Sequence, residues 1–413
     1  MKNHFIIVII LSLSSNVYGQ FTMEAYLGNS ISDTELNYLN SIKGYLKENN
    51  FKSPILREVE FRARVQNFGN GFEDYRLRFS PLNPLERRAN KVYKEALSDQ
   101  FNIEYQLKVE EILLNRYSII IEHHLLSSRK KTLVASAEVY QSIMDIYQDQ
   151  PDNASLKDFI ATDKALLEVI LNLESINNKL KTIEHTIKLT YPYSGVINWE
   201  TQQVVSVEGI KEWFHSNLIE NPNNNLYLKN EKQKGIVADT ELKVEKQSDF
   251  RNLGFIQAEY REDVNNSFFN NLGMQLAFSL PIVNPDKPDL ERDRLELLEN
   301  SKKLEHEQVE LETYLEESYI NLDHLLKQYE IVSNKLSDYE NQSVYSFNRD
   351  ALDTYKEIHD FKTDLSLLKQ NLVADILNSY ISLLSFNGQL SAPPYINYLS
   401  PFNNGFEMTT GDQ

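Results

Sequence analysis

Two hydrophobic patterns alternate along this chain, one with a period of two and one with a heptad period. The first appears in "REVEFRARVQNFGNGFEDYRLRFSPLNP", where Val59, Phe61, Ala63 and Val65 alternate with Glu58, Glu60, Arg62 and Arg64. On the return, Tyr75, Leu77 and Phe79 alternate with Arg76, Arg78 and Ser80. Strict alternation predicts strands, and the glycine-containing break predicts a hairpin. A second hairpin follows in "LGFIQAEYREDVNNSFFNNLGMQLAFSLPI". There Ile256, Ala258 and Tyr260 alternate with Gln257, Glu259 and Arg261, and Met274, Leu276, Phe278 and Leu280 with Gln275, Ala277 and Ser279. Each strand reads as nine to eleven residues.

The heptad pattern fills the long stretches between. Leu297, Leu304, Leu311, Leu325 and Val332 recur at sevens, with Ser318 breaking the series, beside Leu315, Leu322, Tyr329 and Leu336. Such a seam predicts helices supercoiled side by side. A looser version runs through Tyr93, Leu107, Ile112, Leu114, Tyr117, Ile121 and Leu125. No glycine occurs between Gly71 and Gly195 or between Gly273 and Gly388, and Pro151 is the only proline between Pro84 and Pro192. Absence of the usual breakers predicts very long helices. A helix of about 60 residues reaches roughly 90 Å, a length for a fibre or a tube wall.

The chain therefore divides into two repeats. The first, 20–252, has a hairpin at about 56–81, a long helix at about 86–148, a shorter helix at about 156–189, an equatorial segment 191–224 and a connecting helix 226–247. The second, 253–391, has a hairpin at about 253–282, a long helix at about 289–342 and a terminal helix at about 351–387, before a tail 392–413. Phe79-Ser80 and Phe278-Ser279 each precede a proline cluster, and Asp158-Phe159 is echoed by Asp360-Phe361. The equatorial segment holds Trp199 and Trp213 and a possible strand in "QQVVSVEG".

Composition narrows the class. Residues 1–19 carry Lys2, an apolar run from Phe5 to Leu13 and small residues before Gln20, the parts of a secretory signal peptide. The chain has no cysteine, so disulfides, thiolate metal sites, a Cys nucleophile and an acylated N-terminal cysteine are not expected. A formal charge of -18 disfavours nucleic acid, whose binding needs a basic footprint. No later run is apolar enough for a membrane helix, so entry into a bilayer would have to use strands.

Four strands cannot close a barrel, and left open they would expose two edges. Three copies would supply twelve, within the range of outer-membrane barrels. On that reading Val59, Phe61, Val65, Leu77, Ile256, Met274 and Leu276 face lipid. Arg62, Arg64, Arg76, Arg78, Gln257, Glu259 and Gln275 face a water-filled lumen. Phe68, Phe72, Phe268 and Phe269 would sit near the turns as an aromatic girdle. The half-buried sheet of a soluble protein would alternate in the same way.

The stretches "NLGMQLAFSLPIVNPDKPDLERDRLELLENSKKLE" and "YKEIHDFKTDLSLLKQNLVADILNSYISLLSFNGQLS" resemble the last strand, proline-rich helix entry and terminal helix of the TolC family of outer-membrane efflux proteins. That terminal helix tends to close on a Gly-x-Leu such as Gly388-Gln389-Leu390. The resemblance implies a mainly α fold with a small β part: antiparallel coiled-coil helices in a two-fold repeat, plus four strands per chain in a trimeric 12-stranded barrel. It implies a homotrimer in outer-membrane lipid, a periplasmic tunnel, and docking on a periplasmic adaptor and an inner-membrane pump for efflux or type I secretion. It also implies a gate at the helix breaks, around 149–158 and 345–361, for which Asp152, Asp158, Asp350 and Asp360 are candidates. Asp at a helix start is also a cap.

Catalytic patterns are missing. His123-His124 splits across helix faces, and His306-Glu307 lacks the partner of a zinc-binding H-E-x-x-H. No G-x-S-x-G, Walker loop or dinucleotide fingerprint occurs, so neither enzyme nor cofactor is expected. Two functions remain: a trimeric channel, and a soluble periplasmic coiled-coil scaffold or adaptor.

Overall fold

A computed structural model describes residues 21–48, 54–65, 73–149, 155–190, 197, 199, 202–216, 224–249, 254–261, 268–278, 287–340, 349–391, 393–401 and 405–406. The elements are α1 (Met23–Gly28), α2 (Thr34–Glu48), β1 (Leu56–Val65), β2 (Glu73–Pro81), α3 (Pro84–Asp149), α4 (Leu156–Thr190) and α5 (Val207–Ser216). They continue with α6 (Leu226–Asp249), β3 (Phe255–Arg261), β4 (Leu272–Ala277), α7 (Lys287–Glu340) and α8 (Arg349–Phe386). The fold is mainly α with one four-stranded antiparallel sheet in the order β1-β2-β3-β4. Residues 1–19, Phe68, Phe72, Leu280 and about half of the equatorial segment lie outside the described residues.

The chain forms two compact units. The first, Met1–Asn37, Leu107–Asn225 and Glu312–Gln413, is helical. Its core takes in some of the heptad positions, among them Ile121, Leu315 and Leu322, together with neighbours the heptad count did not include. Leu113, Ile120 and Ile121 of α3, Leu315 and Leu322 of α7, and Ile376, Leu377 and Leu384 of α8 are buried. Val332, Leu365 and Leu372 form a cluster with Leu325, Tyr329 and Leu336 packed on it, joining the α7 seam to α8. Trp199 is buried among Phe21, Tyr26 and His123, with ring centroids 5.3 to 6.0 Å away. Arg116, 2% exposed, donates to Asp33 Oδ2 at 3.0 Å and to the Tyr26 carbonyl. The predicted strand "QQVVSVEG" is not one. Ser206 caps the N-terminus of α5 by accepting from the Gly209 N–H at 3.1 Å, and Val205 N–H donates to the Leu399 carbonyl at 2.8 Å. A local cap and a contact with the distant tail override the β-prone valines.

Helix α8 stops for a local reason. Gly388 takes φ +68, Gly388 N–H donates to the Ser385 carbonyl and Gln389 N–H to the Leu384 carbonyl, a Schellman ending. A Cβ on Gly388 would also lie 2.4 Å from the Asn224 carbonyl oxygen, so the position requires glycine on both counts. Ser385 and Ser391, on either side of the turn, both donate to the buried Glu110 carboxylate of α3.

The second unit, Tyr38–Gln106 and Leu226–Leu311, holds the sheet. Asn83 starts α3 by accepting from the Leu85 N–H at 3.0 Å, with Pro84 at the first helical position, where its missing N–H costs nothing. One Arg57 nitrogen donates to both oxygens of the buried Glu86 carboxylate, at 2.7 and 2.9 Å, tying β1 to the first turn of α3. The second hairpin is shorter than its alternation suggests. β3 has seven residues and β4 six, because Phe268–Asn271 form a 3-10 turn ahead of β4.

Candidate functional site

The strand registers place every predicted lumen residue on one face. Arg62 pairs with Arg76 and Glu60 with Arg78 across β1 and β2. Arg76 then pairs with Glu259 and Arg78 with Gln257, and Gln257 in turn with Gln275. One row nearer the turns, Arg64 pairs with Asp74 and Asp74 with Arg261. Alternation thus becomes a polar surface four strands wide. The opposite face carries Val59, Phe61, Leu77, Ile256, Met274 and Leu276. Phe61 is 65% exposed, Met274 75% and Leu276 53%.

The polar face is cross-linked. Arg76 grips Asp74 with two bonds, Nε to Oδ1 at 3.2 Å and a terminal nitrogen to Oδ2 at 2.6 Å, and also faces Glu259 at 3.8 Å. Glu60 accepts from Arg62 at 2.5 Å and lies 3.5 Å from Arg78. Arg78 donates to Gln257 Oε1 at 3.0 and 3.2 Å and stacks its guanidinium 4.0 Å from the Phe255 ring centre. Gly273 makes room for this network, since a Cβ there would meet Glu259 Cγ at 2.9 Å. Arg62, Arg76 and Arg78 are therefore shared with carboxylates and amides of both hairpins. On the outer face Phe61, Tyr75 and Tyr260 form a row of stacked rings with centroids 6.3 and 6.5 Å apart.

The helical unit carries a second polar arrangement, along the contact of α3 with α8. Tyr140 donates to Asp360 Oδ1 at 2.5 Å, Ser136 Oγ meets His359 Nε2 at 3.0 Å, and Gln370 donates to Thr132 Oγ1 at 2.8 Å. Burial pushes the His359 imidazole below its ordinary range, against a smaller opposing pull from Asp360. Of the gate candidates, Asp360 therefore sits in this seam. Asp158 belongs to a capping box: Ser155 accepts from the Asp158 N–H at 3.2 Å and donates to its carboxylate. Asp350 lies in the first turn of α8, and Asp152 is outside the described residues. The four are not brought into one cluster among the described residues.

No helix among the described residues is long and apolar enough to cross a membrane, and they include no group of three or more His, Asp or Glu able to hold a metal. No protein-family model matches the chain, and no curated protein matches it in sequence. Solved structures do. CusC, described in terms of transmembrane channel formation, superposes with a TM-score of 0.70 at 10% identity, over 90% of this chain and 92% of that one. The outer membrane protein VceC of Vibrio cholerae gives 0.63 at 11% identity, over 89% and 96%. The CmeC outer membrane channel of Campylobacter jejuni gives 0.62 at 10% identity, over 90% and 86%. The fold is that of the TolC-family outer-membrane channels.

Within this TolC-type fold, sequence reading missed four charged members of the polar face: Glu58, Glu60, Asp74 and Arg261. Glu58, Glu60 and Arg261 were visible in the alternation. Asp74 precedes the apolar run of β2, and only the register shows that it faces Arg64 and Arg261.

Proposed function

We propose that three copies of this chain form an outer-membrane channel continued by a periplasmic helical tunnel, the passive exit duct of an efflux or type I secretion system. The observation that carries this reading is the inverted sheet. Most of its polar face is taken up in its own hydrogen bonds and ion pairs, while its apolar face is largely exposed. An apolar face of this kind needs hydrocarbon against it, and the free edges of β1 and β4 need partners. Closing β4 of one copy on β1 of the next satisfies the edges and gives twelve strands around a wet lumen.

On this reading Arg62, Arg64, Arg76, Arg78, Gln257, Glu259 and Gln275 line the pore. Residues 1–19 direct export, and the ends of α3, α4, α7 and α8 form the gated tip that meets an adaptor and an inner-membrane pump. Asp152 and Asp350 are the gate candidates. Asp158 and Asp360 already have partners in their own chain, which favours a structural task for both.

Fractionation followed by sizing in detergent tests the proposal. The protein should remain in outer membranes through a high-salt wash, run as a trimer, and conduct in planar bilayers. Release by salt, or a monomer in detergent, would support the soluble scaffold instead.

A further inference from the structure

We propose that Arg64 and Arg261 form an anion-selecting pair in the channel lumen, favouring solutes that carry phosphate, sulfonate or carboxylate groups. The proposal rests on the channel reading and assigns its selectivity to two residues. The polar face contains Arg62, Arg64, Arg76, Arg78 and Arg261, and they are not equivalent. Arg62 and Arg78 share Glu60, and Arg78 also has Gln257. Arg76 occupies both oxygens of Asp74 and reaches Glu259. That leaves Arg64 and Arg261. Each stands directly opposite Asp74 in the register, one on either side, and Asp74 is already held by Arg76. Among the described residues neither has an ion pair, and both are exposed.

Position strengthens the argument. β1 and β3 lie about 10 Å apart across β2, so two long guanidinium side chains can converge on one anion above it. The two rows nearest the turns hold four arginines, Arg62, Arg64, Arg76 and Arg261, against two carboxylates, Asp74 and Glu259. Arg78 and Glu60 balance in the next row, and Glu58 faces Ser80 in the row beyond. Rows on one strand face are about 7 Å apart, so the two cationic rows fall within one Debye length of about 8 Å and act together. Glu58 lies about 20 Å from Arg64 along the strand and is screened from it. Three copies would repeat the pair as a cationic ring, the arrangement by which pores favour anions, and the walls of a narrow lumen focus its field.

The test is the reversal potential of the purified trimer in planar bilayers under a potassium chloride gradient. Wild type should prefer chloride. R64E/R261E should lower the chloride-to-potassium permeability ratio severalfold and reverse the preference, and R64Q/R261Q, which adds no repulsion, should move it part of the way. Both shifts should shrink as salt is raised. Conductance with a wild-type reversal potential in both variants overturns the assignment and leaves the channel standing. So does cation preference in wild type. A trimer without any conductance overturns the channel reading itself, and the pair with it.

Discussion

The helical unit buries Leu113, Leu322 and Leu384 completely, whereas the sheet leaves Phe61, Met274 and Leu276 more than half exposed. The two regions contain similar apolar side chains and solve opposite problems. In the helices, leucines recurring at sevens meet each other and shed water. In the sheet Phe61, Met274 and Leu276 stay largely exposed, and most of the charged side chains are drawn into mutual pairs. The helical unit therefore draws its stability from its own core; on the proposed channel reading, the sheet draws its stability from hydrocarbon and from neighbouring copies.

The sharpest challenge to this contrast is the Arg116–Asp33 pair sealed inside the helical unit. Arg116→Met would leave Asp33 buried without its partner, which costs about 3–5 kcal/mol. Thermal unfolding in detergent should show a large fall, and an unchanged transition would mean that this core tolerates lone charges. The second test reverses the logic on the sheet. Phe61→Arg places a cation on the outward face, where lipid exposure near the bilayer centre costs about 2–4 kcal/mol. The variant should be depleted from outer membranes. If it inserts normally, that face does not contact lipid.

The smallest effects are pH dependences of opposite sign. In the sheet-bearing unit, a hydrogen bond with Asp293, together with burial, pushes the Glu245 carboxyl of α6 up to about 7. A raised carboxyl stabilises the folded state while protonated. Its contribution is full below pH 4.5 and is lost as pH rises towards 7. In the helical unit His359 is held below its ordinary 6.5, so its contribution is present above that pH and lost as pH falls through it. Glu245→Gln should flatten the first slope and His359→Gln the second, read as midpoint shifts in denaturant across pH. Identical slopes in wild type and variants would remove these residues as the cause.

Much of the fold was legible because its signals are periodic and local. Alternation separated the two faces of every strand, and the missing glycines and prolines pointed to the long helices. Serine at a helix start and Gly388 at a helix end mark boundaries through backbone chemistry that needs no distant partner. The failures share one cause. The "QQVVSVEG" stretch turned out to be a cap and a helix because its environment includes Leu399, far away in sequence. Nothing near Asp360 in the sequence signals that Tyr140 donates to it.

By itself the sequence determined the elements, their amphipathic faces, the repeat and the absence of the usual catalytic motifs, since these depend on neighbours within a few residues. Only the tertiary structure decided which charges cancel. Register brings Arg76 onto Asp74 and Glu259 and leaves Arg64 and Arg261 on either side of a carboxylate already taken. Pairing energies fall off within a few ångströms, and residues nearly two hundred positions apart reach that distance only after the two hairpins lie side by side.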